Sequence, residues 1–257
     1  MTLSNNGRPR VIHASLLPGE NTGILSQLLL ERLAADELSI PWTTLATFDP
    51  SRFEDMEEFL PLALPIQVRR RPQGLVGRAQ RLRLLRSEFY RWLAAAQSQY
   101  DAILLRYAVY DLHLLRFISD ARVPVFTVHH TLELEELASQ QSLNRHVKWR
   151  AERFIGRRVL RGCSGIIAMT HEIARYELER AGKPDLSYFV YPNGGPEGIR
   201  PLQRRISNRP EIVFLASFFE LWHGLDLLLD SVARSSQDFV LHIVGEVSSS
   251  DQYRAMG

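Results

Sequence analysis

Apolar residues in this chain are patterned in two ways that take turns along it. Short runs in which neighbouring positions are apolar, without strict alternation, predict strands buried on both faces. These runs lie at residues 10–15, 43–48, 65–68, 102–106, 123–128, 165–169 and 187–191. Segments with apolar residues at helical spacing fall between most of them, at 24–35, 74–97, 110–119, 145–161 and 171–181. Strands alternating with helices predict an α/β fold with a parallel sheet covered on both faces.

The order recurs once after residue 210. A strand-like run at 211–215 leads into Phe219-Glu-Leu-Trp-His-Gly-Leu-Asp-Leu-Leu-Leu229, whose helix is expected to start at Trp222-His-Gly224, and a second run covers 239–246. Between the two blocks, Pro192-Asn-Gly-Gly-Pro-Glu-Gly-Ile-Arg-Pro201 is dense in residues that break helix and strand. The expected organisation is therefore a Rossmann-like domain over 1–195, a linker over 196–210, and a β–α–β opening of a second Rossmann-like domain over 211–257. That second domain reads as cut off early.

Composition narrows the classes. The chain has 257 residues, 45% hydrophobic and 23% charged, with a net charge of only +2. That charge gives no global polyanion-binding signature. The polar start lacks the apolar core of a signal peptide, and no apolar run reaches the roughly 18–20 residues of a membrane span. Cys163 is alone, so neither a disulfide framework nor a multi-cysteine metal site is expected. A cytoplasmic protein fits these facts.

Ligands of open α/β sheets bind beyond the carboxyl ends of the strands, and four segments fall there. In Pro18-Gly-Glu-Asn-Thr-Gly23, Gly19 and Gly23 allow close backbone approach at a helix start, and Asn21 lies among free N–H groups that favour an anion. A plain turn capped by Asn21 or Thr22 explains the same residues. In Thr127-Val-His-His-Thr-Leu-Glu133, His129 and His130 leave a strand together and suit hydrogen bonding to a polar substrate or leaving group. The alternative is a pair of loop histidines, one bonded to backbone. No second carboxylate or histidine stands at metal-ligand spacing, so no metal site is expected. Asn193-Gly194 is a strong turn former. In Trp222-His-Gly224, His223, Gly224 and the nearby helix amides are placed to face a phosphate, while Trp222 equally suits core packing.

A basic run extends from Arg69 to Arg86, with seven arginines and no acid. With Leu75, Val76, Leu82 and Leu85 on one helix face, it suits an anionic membrane surface. A solvated helix packing its leucines on the sheet is the competing reading. Nucleic acid is not expected, because aromatic interleaving is absent until Phe89-Tyr-Arg-Trp92.

Several segments, in order, resemble retaining GT-B glycosyltransferases of family 4. Trp149-Arg-Ala-Glu-Arg-Phe and Gly162-Cys-Ser-Gly-Ile-Ile-Ala-Met-Thr-His-Glu-Ile173 are similar to the family's connecting helix and the strand and helix after it. Tyr188-Phe-Val-Tyr-Pro-Asn-Gly194 resembles its interdomain Pro-Asn-Gly segment. Trp222-His-Gly-Leu-Asp-Leu-Leu228 resembles its Lys-Gly-x-x-x-Leu helix, and Ile243-Val-Gly-Glu246 its Ile-Val-Gly-x-Gly strand. The resemblance implies GT-B architecture, a nucleotide-diphosphate sugar as donor, a glycan or lipid-linked acceptor, transfer with retention in cell-surface polysaccharide assembly, and no cofactor. It places Gly19, Asn21 and Gly23 near the donor diphosphate and His129, with His130 as competitor, on the transferred sugar. It puts His223 and Gly224 at the diphosphate, and Glu133, Asn193 and Gly194 at the interdomain cleft.

Two departures matter. Phe218 stands where the family usually has an arginine and His223 where it has a lysine, so two permanent charges that stabilise the leaving diphosphate are missing. The family's paired donor-binding glutamates would fall beyond residue 257. A non-catalytic glycan- or membrane-binding module derived from such an enzyme is the second expectation. An unrelated Rossmann-like enzyme, such as an epimerase, is disfavoured by the lack of GxGxxG.

Overall fold

The computed structural model describes residues 7–17, 22–47, 57–64, 74–139, 144–194, 209–219 and 223–247. The chain divides into two compact units, Met1–Glu197 and Gly198–Gly257.

The first unit is built on six parallel strands. They are β1 (Val11–Leu16), β2 (Trp42–Thr47), β3 (Ala102–Arg106), β4 (Val125–His129), β5 (Gly165–Ala168) and β6 (Tyr188–Val190), in the order β2-β1-β3-β4-β5-β6. The intervening helices are α1 (Thr22–Glu37), α2 (Gly74–Ala96), α3 (Leu112–Asp120), α4 (Glu133–Ser139), α5 (Arg145–Gly162) and α6 (His171–Ala181). The predicted strand at 65–68 lies outside the described residues.

Successive side chains of a strand point to opposite faces, and that alternation sorts the core. Ile12 and Ala14 of β1 and Ile103 and Leu105 of β3 join the main core with Phe89 and Leu93 of α2, Leu114 and Phe117 of α3, and Val159 and Leu160 of α5. On the other face, Ala46 of β2 packs with Leu25 and Leu28 of α1 and with Phe59 and Leu62 of a short 3-10 turn. Further along that second face, Leu104, Val128 and Ile167 form a smaller cluster. Both faces of the central strands are thus apolar, which is why their runs do not alternate in sequence.

Helix ends follow capping chemistry. Asp111 caps α3, accepting from His113 N (2.8 Å) and Leu114 N (3.3 Å). Thr170 caps α6, and Gly182 ends it in the left-handed region at φ 61°.

The second unit contains β7 (Glu211–Phe219), α7 (Leu225–Arg234) and β8 (Val240–Val247), the two strands parallel. The strand runs four residues beyond the predicted 211–215, through Phe219, and α7 begins at Leu225, next to the expected start at Gly224. Gly245, at φ 147°, brings β8 so close to Ala216 O that no side chain fits there. Phe219 and Leu225 are buried, whereas Val213, Leu215 and Leu227 are exposed. No described helix is long and apolar enough to cross a membrane.

Candidate active site

Strand order reverses between β1 and β3, since β2 lies on one side of β1 and β3 on the other. In an open α/β sheet this switch point leaves a crevice at the carboxyl ends of the two strands. The face turned toward α1 carries polar groups there. Register pairs Ala14 with Leu105 and Arg106 with Val128. Ser15 therefore stands beside Arg106 on the next strand, with His13 and His130 diagonal to it on the same face.

Several of these groups are unsatisfied. His13 Nδ1 is held by Glu31 Oε2 of α1 at 2.7 Å, but its Nε2 has no hydrogen-bond partner among the described residues. The same holds for Ser15 Oγ, Thr44 Oγ1 and His130 Nε2. Buried polar atoms are normally paired, so a group of them at a switch point marks a place for a polar ligand. Burial, and then the nearby Arg106 charge, push the His130 imidazole down to about 3. It is neutral at physiological pH and able to donate or accept a hydrogen bond. Burial lowers Arg106 to about 10, which still leaves it cationic. No carboxylate among the described residues forms a hydrogen bond or ion pair with it.

His129 goes the other way. It is 0% exposed, with Nδ1 on Glu133 Oε1 (2.7 Å) and Nε2 beside Thr127 Oγ1 (3.0 Å). Its ring stacks on Tyr107, centroids 4.5 Å apart. It belongs to a buried ionic network centred on Arg180 of α6. Arg180 Nη1 donates to Glu133 Oε2 and Glu177 Oε1, each at 2.9 Å, and Nη2 donates to Glu152 Oε1 of α5. Glu152 also accepts from the Tyr107 hydroxyl (2.6 Å) and the Tyr110 backbone N–H. Tyr110 sits at φ 44°, uncommon for a non-glycine residue. The network thus ties the loop after β3 and the end of β4 to α4, α5 and α6.

Protonation follows from this crowding. Burial works to raise Glu133, but His129 and Arg180 outweigh it and hold its carboxyl at about 2. Burial and the adjacent Glu133 raise Glu177, so that it keeps its proton. One ionised and one protonated carboxyl side by side is the usual outcome of a close acidic pair.

The expectation that no second carboxylate comes within metal-ligand reach of the histidines is corrected. Ligand atoms of His129, Glu133 and Glu177 lie within 4.8 Å of one another. Arg180 already bridges the two carboxylates, and all three residues are buried, so the donor set is matched to a guanidinium rather than to a metal ion.

The structure brings His130 to the switch point together with residues that the sequence reading did not single out: His13, Ser15 and Arg106. Glu133 lies inside the first unit rather than on an open surface. Asn193 and Gly194 are exposed in the segment after β6. Gly23 is exposed in the first turn of α1, while Gly19, Asn21 and Trp222 lie outside the described residues. In the second unit, Gly224 at φ 70° caps α7 and His223 is exposed beside it, at a helix amino end suited to an anion. In the basic run, Arg69, Arg70 and Arg71 lie outside the described residues. Arg86 turns inward to Asp111 (3.1 Å) and over the Tyr110 ring, and Leu85 packs on the core.

Comparison with known proteins agrees with this architecture. The chain is similar in fold to the apo form of the lipopolysaccharide outer core galactosyltransferase WaaB, with TM-score 0.55 and 12% identity over 96% of this chain and 63% of that one. It is also similar to Alr3699/HepE of Anabaena, solved with UDP-glucose, with TM-score 0.60 and 15% identity over 97% of this chain and 64% of that one. A second HepE structure, with UDP and glucose, gives TM-score 0.60 at 16% identity, over 95% of this chain and 64% of that one. The chain spans less than two thirds of the length of these structures. At such identities the likeness concerns the fold, which is the GT-B α/β architecture. No curated protein matches the sequence significantly. A profile described as Glycosyltransferase Family 4 matches residues 29–195, a stretch that begins within α1, after β1, and takes in β2 to β6 with the helices between them, and on that match the chain belongs to Glycosyltransferase Family 4.

Proposed function

We propose that the protein transfers a sugar from a nucleotide-diphosphate sugar to a glycan or lipid-linked acceptor, with retention, in the cytoplasmic steps of cell-surface polysaccharide assembly. One observation carries the reading: Arg106 is a partly buried cation that no described carboxylate hydrogen-bonds or ion-pairs, with Glu136, Glu133 and Glu31 acting on it only through space, next to a neutral His130 and unsatisfied hydroxyl and imidazole groups. A cation in a low-dielectric setting calls for an anion, here a substrate phosphate. Neutral His130, with Ser15 and His13 beside it, supplies hydrogen bonds to sugar hydroxyls. In the second unit, His223, Gly224 and the α7 amides bind diphosphate. Catalysis is then electrostatic, through positioning and stabilisation of the leaving diphosphate, with no metal in the reaction.

The test is turnover of uridine, guanosine and thymidine diphosphate sugars with acceptor extracts, read as nucleoside diphosphate release and product mass, with the product anomer assigned by NMR. Arg106→Ala is expected to lower kcat/KM by about 10²–10³, the usual cost of one transition-state donor. Activity unchanged in Arg106→Ala, or abolished by a chelator, overturns the assignment. Donor binding without any turnover would favour the non-catalytic module instead.

A further inference from the structure

Helix α5 has a one-sided surface that the switch-point site does not use. Its inner side buries Glu152, Ile155, Gly156, Val159 and Leu160. Its outer side exposes Arg145, Arg150, Arg153, Arg157, Arg158 and Arg161. Glu152, the helix's one acid, is turned inward to Arg180. None of these six arginines forms an ion pair with a described carboxylate. Five of them stand in like-charge pairs at three- and four-residue spacing, 150/153, 153/157, 157/161 and 158/161, an arrangement that weakens a helix. A merely solvated face mixes signs, as α2 does where Arg91 meets Glu88 at 2.8 Å. The α5 charge is therefore not maintained for stability.

Apolar groups stand among these cations. Phe154 is 61% exposed and Val147 is 70% exposed. Arg158 lies over the Phe154 ring, 3.4 Å from its centroid, and Arg153 over the Trp149 ring at 5.3 Å. Trp149, Arg150, Arg153, Phe154 and Arg157 of α5 line a groove of about 820 Å³ shared with α4 and α6, in which Glu179 is the one acid among the lining residues. Arg161 has a second task, donating from Nε to Ala181 O at the end of α6 (2.8 Å).

We propose that α5 is the contact of this protein with an anionic lipid bilayer. Arginines beside exposed aromatic and aliphatic side chains are the composition of an interfacial helix. The arginines meet the lipid phosphates and Phe154 and Val147 enter the boundary with the acyl chains. Nucleic acid is the lesser match, since Arg158 and Arg153 cover faces of Phe154 and Trp149 and hinder base stacking, whereas lipid contact needs only the ring area that leaves Phe154 61% exposed.

The experiment is flotation of the full chain with vesicles of phosphatidylcholine, alone and with phosphatidylglycerol added. Wild type is expected to float with the anionic vesicles only, and less so as salt rises. Each cation near an anionic surface contributes about fivefold to partitioning, so Arg150→Glu/Arg153→Glu is expected to lose about 25-fold or more. Phe154→Ser is expected to weaken the salt-resistant part. Arg234→Glu on α7, outside both basic stretches, is the control and leaves flotation unchanged. All variants are compared at equal melting temperature, so that loss of fold is not read as loss of binding. Equal flotation of Arg150→Glu/Arg153→Glu and wild type, or a wild type that ignores anionic vesicles, overturns the proposal. Binding of an RNA oligonucleotide without flotation overturns it too, in favour of nucleic acid.

Discussion

Replacing Gly156 by alanine separates two opposing effects of known sign. Glycine in a helix interior costs about 1 kcal/mol relative to alanine, so on helix propensity alone Gly156→Ala stabilises α5. The structure predicts the reverse. A Cβ on Gly156 would meet Glu152 Oε1, Arg180 Nη2 and, at 2.6 Å, the Tyr107 hydroxyl. All three belong to the buried network, and none is a free chain end that can swing into solvent. Displacing Arg180 from Glu152 breaks a buried ion pair, which costs about 3–5 kcal/mol. After the helix gain the net loss is about 2–4 kcal/mol. For a unit of this size each kcal/mol lowers the melting midpoint by about 2–4 °C, so the fall is about 4–16 °C. Thermal denaturation of the full chain by circular dichroism reads the midpoint, and urea titration gives the free energy. A Gly156→Ala protein that melts at or above wild type refutes the claim that this glycine exists to admit the Arg180 network.

Two further outcomes follow from burial. His130, held at about 3, has a folded pKa below its unfolded value of about 6.5; below that value the unfolded chain takes a proton that the folded chain refuses, so its contribution is full above about 6.5 and is lost as pH falls toward 3. His130→Gln should remove up to about 2 kcal/mol of the stability lost between about pH 7 and pH 5, and a His130 imidazole resonance that titrates near 6.5 sinks the assignment. Burial also raises the Cys163 thiol, so a thiol reagent should label it only at the rate of unfolding; labelling as fast as a free thiol means the side chain is not enclosed.

Much of the architecture was legible because the physics is local. An unbroken apolar run such as Ala102–Arg106 needs apolar partners on both sides, and a parallel sheet between helices supplies them. The end of β7 was misread because Phe218 and Phe219 suit strand and helix equally. Helix α4 was missed because it is seven residues long and carries three acids in its first turn. The site was legible in place but not in orientation. Two adjacent histidines at a strand end must face opposite ways; which one is enclosed depends on the helices over Thr127 and His129. Arg106 was visible as the charged end of a strand, but that no described carboxylate hydrogen-bonds or ion-pairs it appears only in the fold. Arg180 carries no local signal, since Glu133 lies 47 residues away.

Placing His129 and His130 on opposite sides of β4 separates two kinds of mutational freedom. Substitutions at Ser15 and His130 alter groups that the fold leaves unsatisfied, so they can redirect recognition while the hydrophobic clusters and the Arg180 network stay in place. Substitutions at Glu133, Glu152 or Arg180 strand a buried charge and are expected to cost folding before they change recognition. A library aimed at new sugar specificity therefore belongs on the first set, and a screen for tolerance should find the second nearly closed to change.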